Sequence, residues 1–89
     1  MPTCELTIPN KEGLHARPAA KFVKVANEFS ANIWVQKDDE EINGKSIMGL
    51  MMLAAGQGTV IAVSAEGDDA ESALEKLSLL VNGGFEEES

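Results

Sequence analysis

Residues 13–20, Gly13-Leu14-His15-Ala16-Arg17-Pro18-Ala19-Ala20, contain the point at which the apolar pattern of the chain changes from that of a strand to that of a helix. Before this stretch, Cys4, Leu6 and Ile8 alternate with polar residues, as in a strand with one buried face. After it, apolar side chains recur about every 3.6 positions, which predicts an amphipathic helix. Pro18 is tolerated only in the first turn of a helix, so we expect this helix to begin at His15 or Ala16.

The remaining apolar patterns predict five more elements. They are a strand at 31–37, a turn or edge strand within 38–43, a short helix at 47–53, a strand at 59–66, and a helix that is capped by Asp68 or Asp69 and stops at 82–84. The order β-α-β-β-α-β-α predicts an α+β fold, with a small, mostly antiparallel sheet covered on one face by helices. We expect residues 1–89 to form one domain, with a frayed acidic tail at 86–89.

The composition argues against several classes of protein. The 89 residues carry 15 acidic and 7 basic side chains, a net charge of −8, which disfavours a general nucleic-acid binder. The single Cys4 cannot form an internal disulfide, and the longest apolar stretch, 47–55, is about half as long as a membrane span. The first residues lack the basic and apolar regions of a signal peptide. We therefore expect a soluble cytoplasmic protein that binds neither nucleic acid nor membrane.

His15, the one histidine, is the strongest candidate for chemistry. Near a helix N-cap, free backbone N–H groups and the positive end of the helix dipole favour an anion such as a phosphoryl group on the ring. Arg17 can supply a planar cationic fork to the same oxygens. We expect the positive surroundings to favour the neutral imidazole, which is the form that acts as a nucleophile. Six of the seven basic residues precede residue 50, which predicts a locally cationic face around His15.

The residues alone leave a structural interpretation of His15 open, because a lone histidine near a helix start is often a surface or capping residue. A metal site is not expected, since there is no second histidine and Cys4 lacks ligand spacing with the carboxylates. No residue is placed to form a Ser-His-Asp triad either. We therefore expect no metal and no cofactor.

A second segment of interest is 44–52, which reads Gly-Lys-Ser-Ile-Met-Gly-Leu-Met-Met. Ser46 is a good helix N-cap and Leu50 is expected in the core, and this structural interpretation of the two residues requires no function. That interpretation leaves Ile47, Met48 and Met51 outside the core, and flexible methionines suit a surface that accepts several partners. A serine at a helix N-terminus is also a place where a phosphate is electrostatically tolerated.

Together, Gly13-Leu14-His15-Ala16-Arg17-Pro18-Ala19 and Lys45-Ser46-Ile47-Met48-Gly49-Leu50-Met51 resemble the HPr family, the histidine-containing phosphocarriers of the bacterial phosphoenolpyruvate-dependent phosphotransferase system. The resemblance covers essentially the whole chain in length, element order and motifs. It implies an open-faced β-sandwich, in which a four-stranded antiparallel sheet carries three helices on one face. It also implies a phosphoryl carrier, which receives the group from one partner and gives it to another and is not a turnover enzyme.

The resemblance assigns roles to particular residues. His15 would accept a phosphoryl group on Nδ1 from phosphorylated Enzyme I and pass it to an enzyme IIA domain, while Arg17 and the backbone amide of Ala16 would contact the phosphoryl oxygens. Ser46 would be the site of HPr kinase/phosphorylase in members with that control. The shared docking surface would consist of Ala20, Lys21, Lys24, Lys45, Ile47, Met48 and Met51. Glu12 departs from the family pattern, since many members have a small polar residue there. We expect a monomer.

Two other functions fit parts of the sequence. One is a regulatory binding module whose only chemistry is phosphorylation of Ser46. The other is a small hydrolase similar to the acylphosphatases, which share the size and an arginine in a phosphate-binding loop, although no residue here is placed to position a water. The ending at 82–88 is similar to the nitrogen-related branch of the HPr family, whereas 45–49 is closer to kinase-regulated members, so the sequence leaves the branch open.

Overall fold

The computed structural model describes residues 1–86 and gives the chain the expected order of elements. The elements are β1 (Thr3–Thr7), α1 (Ala16–Ala26), β2 (Asn32–Lys37), β3 (Glu40–Asn43), α2 (Ile47–Met52), β4 (Val60–Glu66) and α3 (Ala70–Asn82). Each predicted helix and strand is present, with ends that differ by at most three residues. Residues 87–89 of the predicted frayed tail lie outside the described part of the chain.

The four strands form one antiparallel sheet in the order β1-β4-β2-β3. Val63 of β4 lies opposite Cys4 of β1 on one side and opposite Val35 of β2 on the other, and Val35 in turn faces Ile42 of β3. This row crosses the whole sheet and is apolar. Because side chains alternate along a strand, the residues of this row share one face with the buried apolar residues of the strands, as their spacing in the sequence predicts.

The core lies between this apolar face and the helices. The largest fully buried side chains include Phe22 of α1, Leu50 of α2 and Leu77 of α3, together with Ile33 and Ile61 of the sheet. The predicted apolar stripes of α1 and α3 are buried, apart from Phe29, which follows the end of α1 and is half-buried. The α+β architecture with helices against one sheet face is therefore confirmed. None of the helices in residues 1–86 is long and apolar enough to cross a membrane.

Asp69 differs from the prediction for the start of α3. It occupies the N-cap position, but its carboxylate makes no capping bond to the helix. Oδ2 instead accepts a hydrogen bond of 2.8 Å from the amide of Ser30, and Oδ1 one of 2.8 Å from the amide of Ala31. The acid thus joins α3 to the segment between α1 and β2. A cap pattern in the sequence cannot reveal this, because the two donors lie 39 and 38 residues away.

The loop before α1 is fixed by a close approach to the segment after α2. Gly13 has φ +72°, and a Cβ at this position would lie 2.4 Å from the carbonyl oxygen of Ala55. The next residue, Leu14, donates its amide to that same oxygen at 2.9 Å, and its side chain is buried. Only glycine combines this backbone conformation with this distance, so Gly13 sets where α1 begins.

Candidate functional site

His15 is the N-cap residue of α1, as the position of Pro18 predicts. Its backbone is extended, with φ −86° and ψ −167°, and its side chain makes no capping hydrogen bond. The first amides of an α-helix have no acceptor within the helix, so the N–H groups of Ala16 and Arg17 point out of the helix end beside His15. The imidazole side chain is 45% exposed. The site therefore offers an accessible ring at the positive end of a helix dipole.

The turn that leads into α1 is held by its own hydrogen bonds. The side-chain amide of Asn10 donates to the carbonyl oxygen of Gly13 at 2.9 Å, and the amide of Gly13 donates to the carbonyl oxygen of Asn10 at 3.2 Å. With the contact between Gly13 and Ala55, these bonds fix both ends of the turn. The backbone positions of Glu12 and His15, which flank Gly13 and Leu14, are therefore fixed relative to each other.

Glu12 contacts the imidazole directly, which the sequence analysis did not predict. Its Oε1 lies 2.8 Å from Nε2 of His15. The signal in the sequence is a spacing of three residues across a glycine-containing turn, which becomes informative only once the turn geometry is known.

A cavity of about 530 Å³ opens beside His15. Arg17 and Lys21 line it, as do the acidic Glu12 and Glu86, so the cationic face predicted from the sequence is in fact of mixed charge. Lys21 donates its Nζ to the carbonyl oxygen of Phe85 at 2.8 Å, which ties the segment after α3 to α1. Within residues 1–86 the guanidinium of Arg17 makes no hydrogen bond or ion pair. It is exposed and available to an anion on the ring.

α2 reaches the same site from the other side of His15. A second open cavity, of about 250 Å³, is lined by His15 and Glu12 together with Met51 and the segment 54–56. The side chains that α2 exposes are large and apolar. They are Ile47 at 41%, Met48 at 73%, Met51 at 43% and Met52 at 73% exposure. The first three were expected from the sequence to lie outside the core, whereas Met52 was not, although its spacing of four residues from Met48 places both on one helix face.

Ser46 is the N-cap of α2, as predicted. Its Oγ accepts a hydrogen bond of 3.0 Å from the amide of Gly49. Its neighbour Lys45 donates Nζ to the carbonyl oxygen of Phe29 at 2.8 Å, so this lysine links the start of α2 to the segment after α1. Ser46 is half-buried and immediately precedes the exposed Ile47 and Met48.

The α1 residues proposed for docking divide into two groups. Lys21 lies in the cavity beside His15, whereas Ala20 and Lys24 are exposed but do not line either cavity at the histidine. Lys45 is half-buried.

In the part of the chain that the structure describes, no group of three or more His, Cys, Asp or Glu side chains could hold a metal ion.

Comparisons with known proteins agree on one family. Residues 2–83 match the family model described as "PTS HPr component phosphorylation site". The phosphocarrier protein HPr of Neisseria meningitidis strain Z2491 is 51% identical over 82 residues, which is 92% of each chain. The crystal structure of HPr-C-His from Thermoanaerobacter tengcongensis has a TM-score of 0.93 and 52% identity and covers 100% of both chains.

Dimers occur among these similar proteins. A crystal structure of an HPr dimer from Thermoanaerobacter tengcongensis matches with a TM-score of 0.78 and 52% identity, and covers 98% of this chain and 100% of that one. The expectation of a monomer for the present chain therefore stays a prediction.

Proposed function

Because the chain belongs to the HPr family, whose members are phosphocarrier proteins of the phosphotransferase system and not turnover enzymes, we propose that His15 accepts a phosphoryl group from phosphorylated Enzyme I and passes it to an enzyme IIA domain. The observation that carries this proposal is the position of His15 as the N-cap of α1, with its ring exposed and free of any capping bond.

The transfer step uses the nitrogen of His15 that Glu12 does not contact. The lone pair of Nδ1 forms a bond to phosphorus while the bond between phosphorus and the donor nitrogen of phospho-Enzyme I breaks, and its electron pair returns to that nitrogen. The amides of Ala16 and Arg17 and the guanidinium of Arg17 donate hydrogen bonds to the phosphoryl oxygens. Transfer to the IIA domain is the same displacement, with Nδ1 as the leaving nitrogen.

The exposure of the site suits a carrier, which must release what it binds. A buried phosphoryl group surrounded by several cations would be held too firmly to pass on, because charge–charge interactions strengthen in a medium of low dielectric constant. Here the ring is 45% exposed and Arg17 is on the surface. Both the donor and the acceptor can therefore approach the same nitrogen in turn.

The docking surface that we propose for both partners combines residues of α1 and α2 with Lys45, and two of its members, Lys21 and Met51, line the cavities at this ring. It comprises Ile47, Met48 and Met51 of α2, with Ala20, Lys21, Lys24 and Lys45. Support comes from the cavity that Met51 shares with His15 and from the exposure of Met48. Exposed apolar side chains rimmed by cations fit partners whose contact surface is apolar with an acidic rim.

Incubation with radiolabelled phosphoenolpyruvate and purified Enzyme I tests the function. We expect stoichiometric labelling with an acid-labile phosphate, and no labelling of His15→Ala. Lys76→Ala, which removes a cation in α3, is the matched control and should be labelled like the wild type. Label that persists in His15→Ala would contradict the proposal. Labelling only by a kinase with ATP, and none through Enzyme I, would favour the regulatory module instead.

We further propose that phosphorylation of Ser46 by an HPr kinase/phosphorylase regulates this transfer. Ser46 Oγ already accepts a hydrogen bond at the N-terminus of α2, and phosphate oxygens can keep that bond, so the modification would add about two negative charges without unfolding the helix. Those charges would stand next to Ile47 and Met48 on the docking surface. They would weaken the binding of a partner with an acidic rim.

Two substitutions separate the structural role of Ser46 from its regulatory role. Ser46→Asp keeps an acceptor for the Gly49 amide and adds charge, so we expect near wild-type stability but slower transfer from Enzyme I. Ser46→Ala loses the cap, so we expect the free energy of unfolding to fall by about 1 kcal/mol with the transfer rate retained. Urea unfolding and transfer kinetics measure the two effects. Equal transfer rates for Ser46→Asp and the wild type would contradict the regulatory proposal.

A further inference from the structure

Lys37 is the last residue of β2, and it stands on the face of the sheet that the helices cover. Side chains alternate along the strand, so Lys37 lies on the same side as the buried Ile33 and Val35. A charged group at such a position needs a polar partner, because its burial is otherwise unfavourable. Lys37 is half-buried, and its Nζ donates a hydrogen bond of 2.9 Å to the carbonyl oxygen of Leu53. This bond joins β2 to the end of α2.

The carbonyl group that Lys37 binds belongs to the C-cap residue of α2, Leu53. The last carbonyl groups of a helix have no donor within the helix, and they form the negative end of its dipole. α2 has no basic residue in its own last turn, so Lys37 supplies that cation from another element. With six residues, of which only Leu50 is buried, α2 depends on contacts from other elements to stay in place.

The segment after α2 is joined to the turn before His15. Ala54 has φ +53°, a left-handed conformation that is unfavourable for a residue with a side chain and that persists only where the surroundings hold it. Both of its neighbours are held by other segments: the carbonyl oxygen of Leu53 accepts from β2, and that of Ala55 accepts from the amide of Leu14 at 2.9 Å. The end of α2 is therefore tied both to the sheet and to the turn that carries the histidine.

We propose that Lys37 is a positioning residue: by its bond to Leu53 it holds α2, and the methionines that α2 exposes, at a fixed place beside His15. This inference rests on the proposed phosphocarrier function and adds to it a residue that lines neither cavity at the ring. A partner that contacts the ring and the methionines together binds better when their relative position is fixed beforehand, because ordering them on binding costs free energy. Loss of the bond weakens docking and leaves the chemistry of the ring unchanged.

Amide hydrogen exchange of the unphosphorylated protein tests the positioning without any transfer. Lys37→Met removes the ammonium group and keeps an unbranched apolar stem, so the fold persists. We expect the amides of Leu53 and Ala54, which close the last turn of α2, to exchange about twofold to fivefold faster than in the wild type, and the amide of Leu14 to follow them. Lys37→Arg, which retains a donor, should exchange like the wild type. Wild-type rates at these amides in Lys37→Met, or an equal acceleration throughout the chain, would overturn the proposal.

Transfer kinetics from phosphorylated Enzyme I test the consequence for docking. We expect Lys37→Met to raise the KM for this protein as phosphoryl acceptor by about twofold to fivefold, with kcat unchanged, since His15 and Arg17 are untouched. Lys76→Met is the matched control, because it removes the same charge from an exposed position on α3 that lines neither cavity at the ring, and it should keep the wild-type KM. Lys37→Arg should restore the wild-type KM.

The outcomes separate the role of Lys37 from the phosphocarrier function. A wild-type KM in Lys37→Met, or an equal rise in Lys76→Met, would overturn the role of Lys37 and leave the function standing. Absence of transfer to the wild type would refute the function, and the exchange rates would still decide whether Lys37 holds α2 against the turn before His15.

Discussion

Gly13 determines where His15 lies relative to the rest of the molecule. Its φ of +72° is in the left-handed region, and its Cα faces the backbone of Ala55 and Gly56 with no room for a side chain. The sequence shows a glycine before a helix, which is common, but it does not show that the backbone of a segment more than 40 residues away lies against it.

We predict that Gly13→Ala lowers the free energy of unfolding by at least about 1–2 kcal/mol, because a Cβ strains the left-handed backbone and collides with the Ala55 carbonyl. Urea denaturation measures this. Gly56→Ala is the matched control: a Cβ there meets no atom within 4 Å, and the variant should be as stable as the wild type. Equal stability of Gly13→Ala and Gly56→Ala would contradict the prediction.

Single residues also show what the sequence could and could not predict at the site. His15 and Ser46 were placed correctly because a proline in the first turn and a serine before an apolar run are local signals. The contact of Glu12 with His15 depends on the shape of a turn, which residue types alone do not specify. The bonds from Asp69 to Ser30 and Ala31 depend on the packing of separate elements.

Among the elements, α2 is the one that a purely structural role explains least, because most of its apolar side chains are exposed. Of its six residues only Leu50 is buried, while four large apolar side chains are exposed. Such a short helix has little intrinsic stability and depends on its cap and on the contact of Leu50 with the core. The exposed side chains contribute little to that stability, so their identity can suit the partner that docks on them.

Substitution of Met48 tests the role of α2 in docking. Because Met48 is 73% exposed, we expect Met48→Glu to change the free energy of unfolding by less than about 0.5 kcal/mol. We expect transfer from Enzyme I at low protein concentration to fall by about fivefold or more, since loss of a central apolar contact costs over about 1 kcal/mol. Leu79→Glu is the control, because Leu79 is 70% exposed on α3. Equal effects of the two substitutions on transfer would contradict the docking surface.

The order of the elements other than β3 could be predicted from apolar periodicity, because each of those helices and strands has buried apolar residues on one face. β3 has no buried residue, and its sequence left a turn or an edge strand open. The strand order β1-β4-β2-β3 could not be derived from periodicity, since every strand presents the same alternation and would fit any neighbour. Met52 was missed for a related reason. A helix pattern identifies residues that share a face, but the packing of neighbouring elements decides how wide the exposed part of that face is.

At the scale of the whole molecule, Asp69 holds the start of α3 to the segment after α1. The amide of Ser30, and secondly that of Ala31, stabilise the charged carboxylate and lower its pKa from the ordinary value of 3.8, while desolvation opposes the shift. A carboxyl group whose pKa is lower in the folded state stabilises the fold above its unfolded pKa. That contribution is lost as the pH falls through the folded pKa.

We therefore predict that Asp69→Asn is less stable than the wild type at pH 7 and that the difference shrinks as the pH falls below about 3.8. An asparagine can accept from only one of the two amides and turns a donor toward the other. Urea unfolding over a pH series measures the difference. Asp68→Asn, at an exposed neighbouring position, should follow the wild type at every pH. A difference that stays constant with pH would contradict the prediction.

The position of β4 in the sheet has a consequence for the synthesis of the chain. β4 is the sixth of seven elements along the sequence, yet it lies between β1 and β2 in space, and Thr3 of β1 pairs with Ser64. Until residues 60–66 have been translated, β1 and the β2–β3 hairpin have no strand in common. Closing a loop of this length costs entropy before any pairing compensates it, so we expect the four-stranded sheet to form only after β4 is available. The nascent chain thus makes His15 well before β4, the strand that joins the two parts of the sheet.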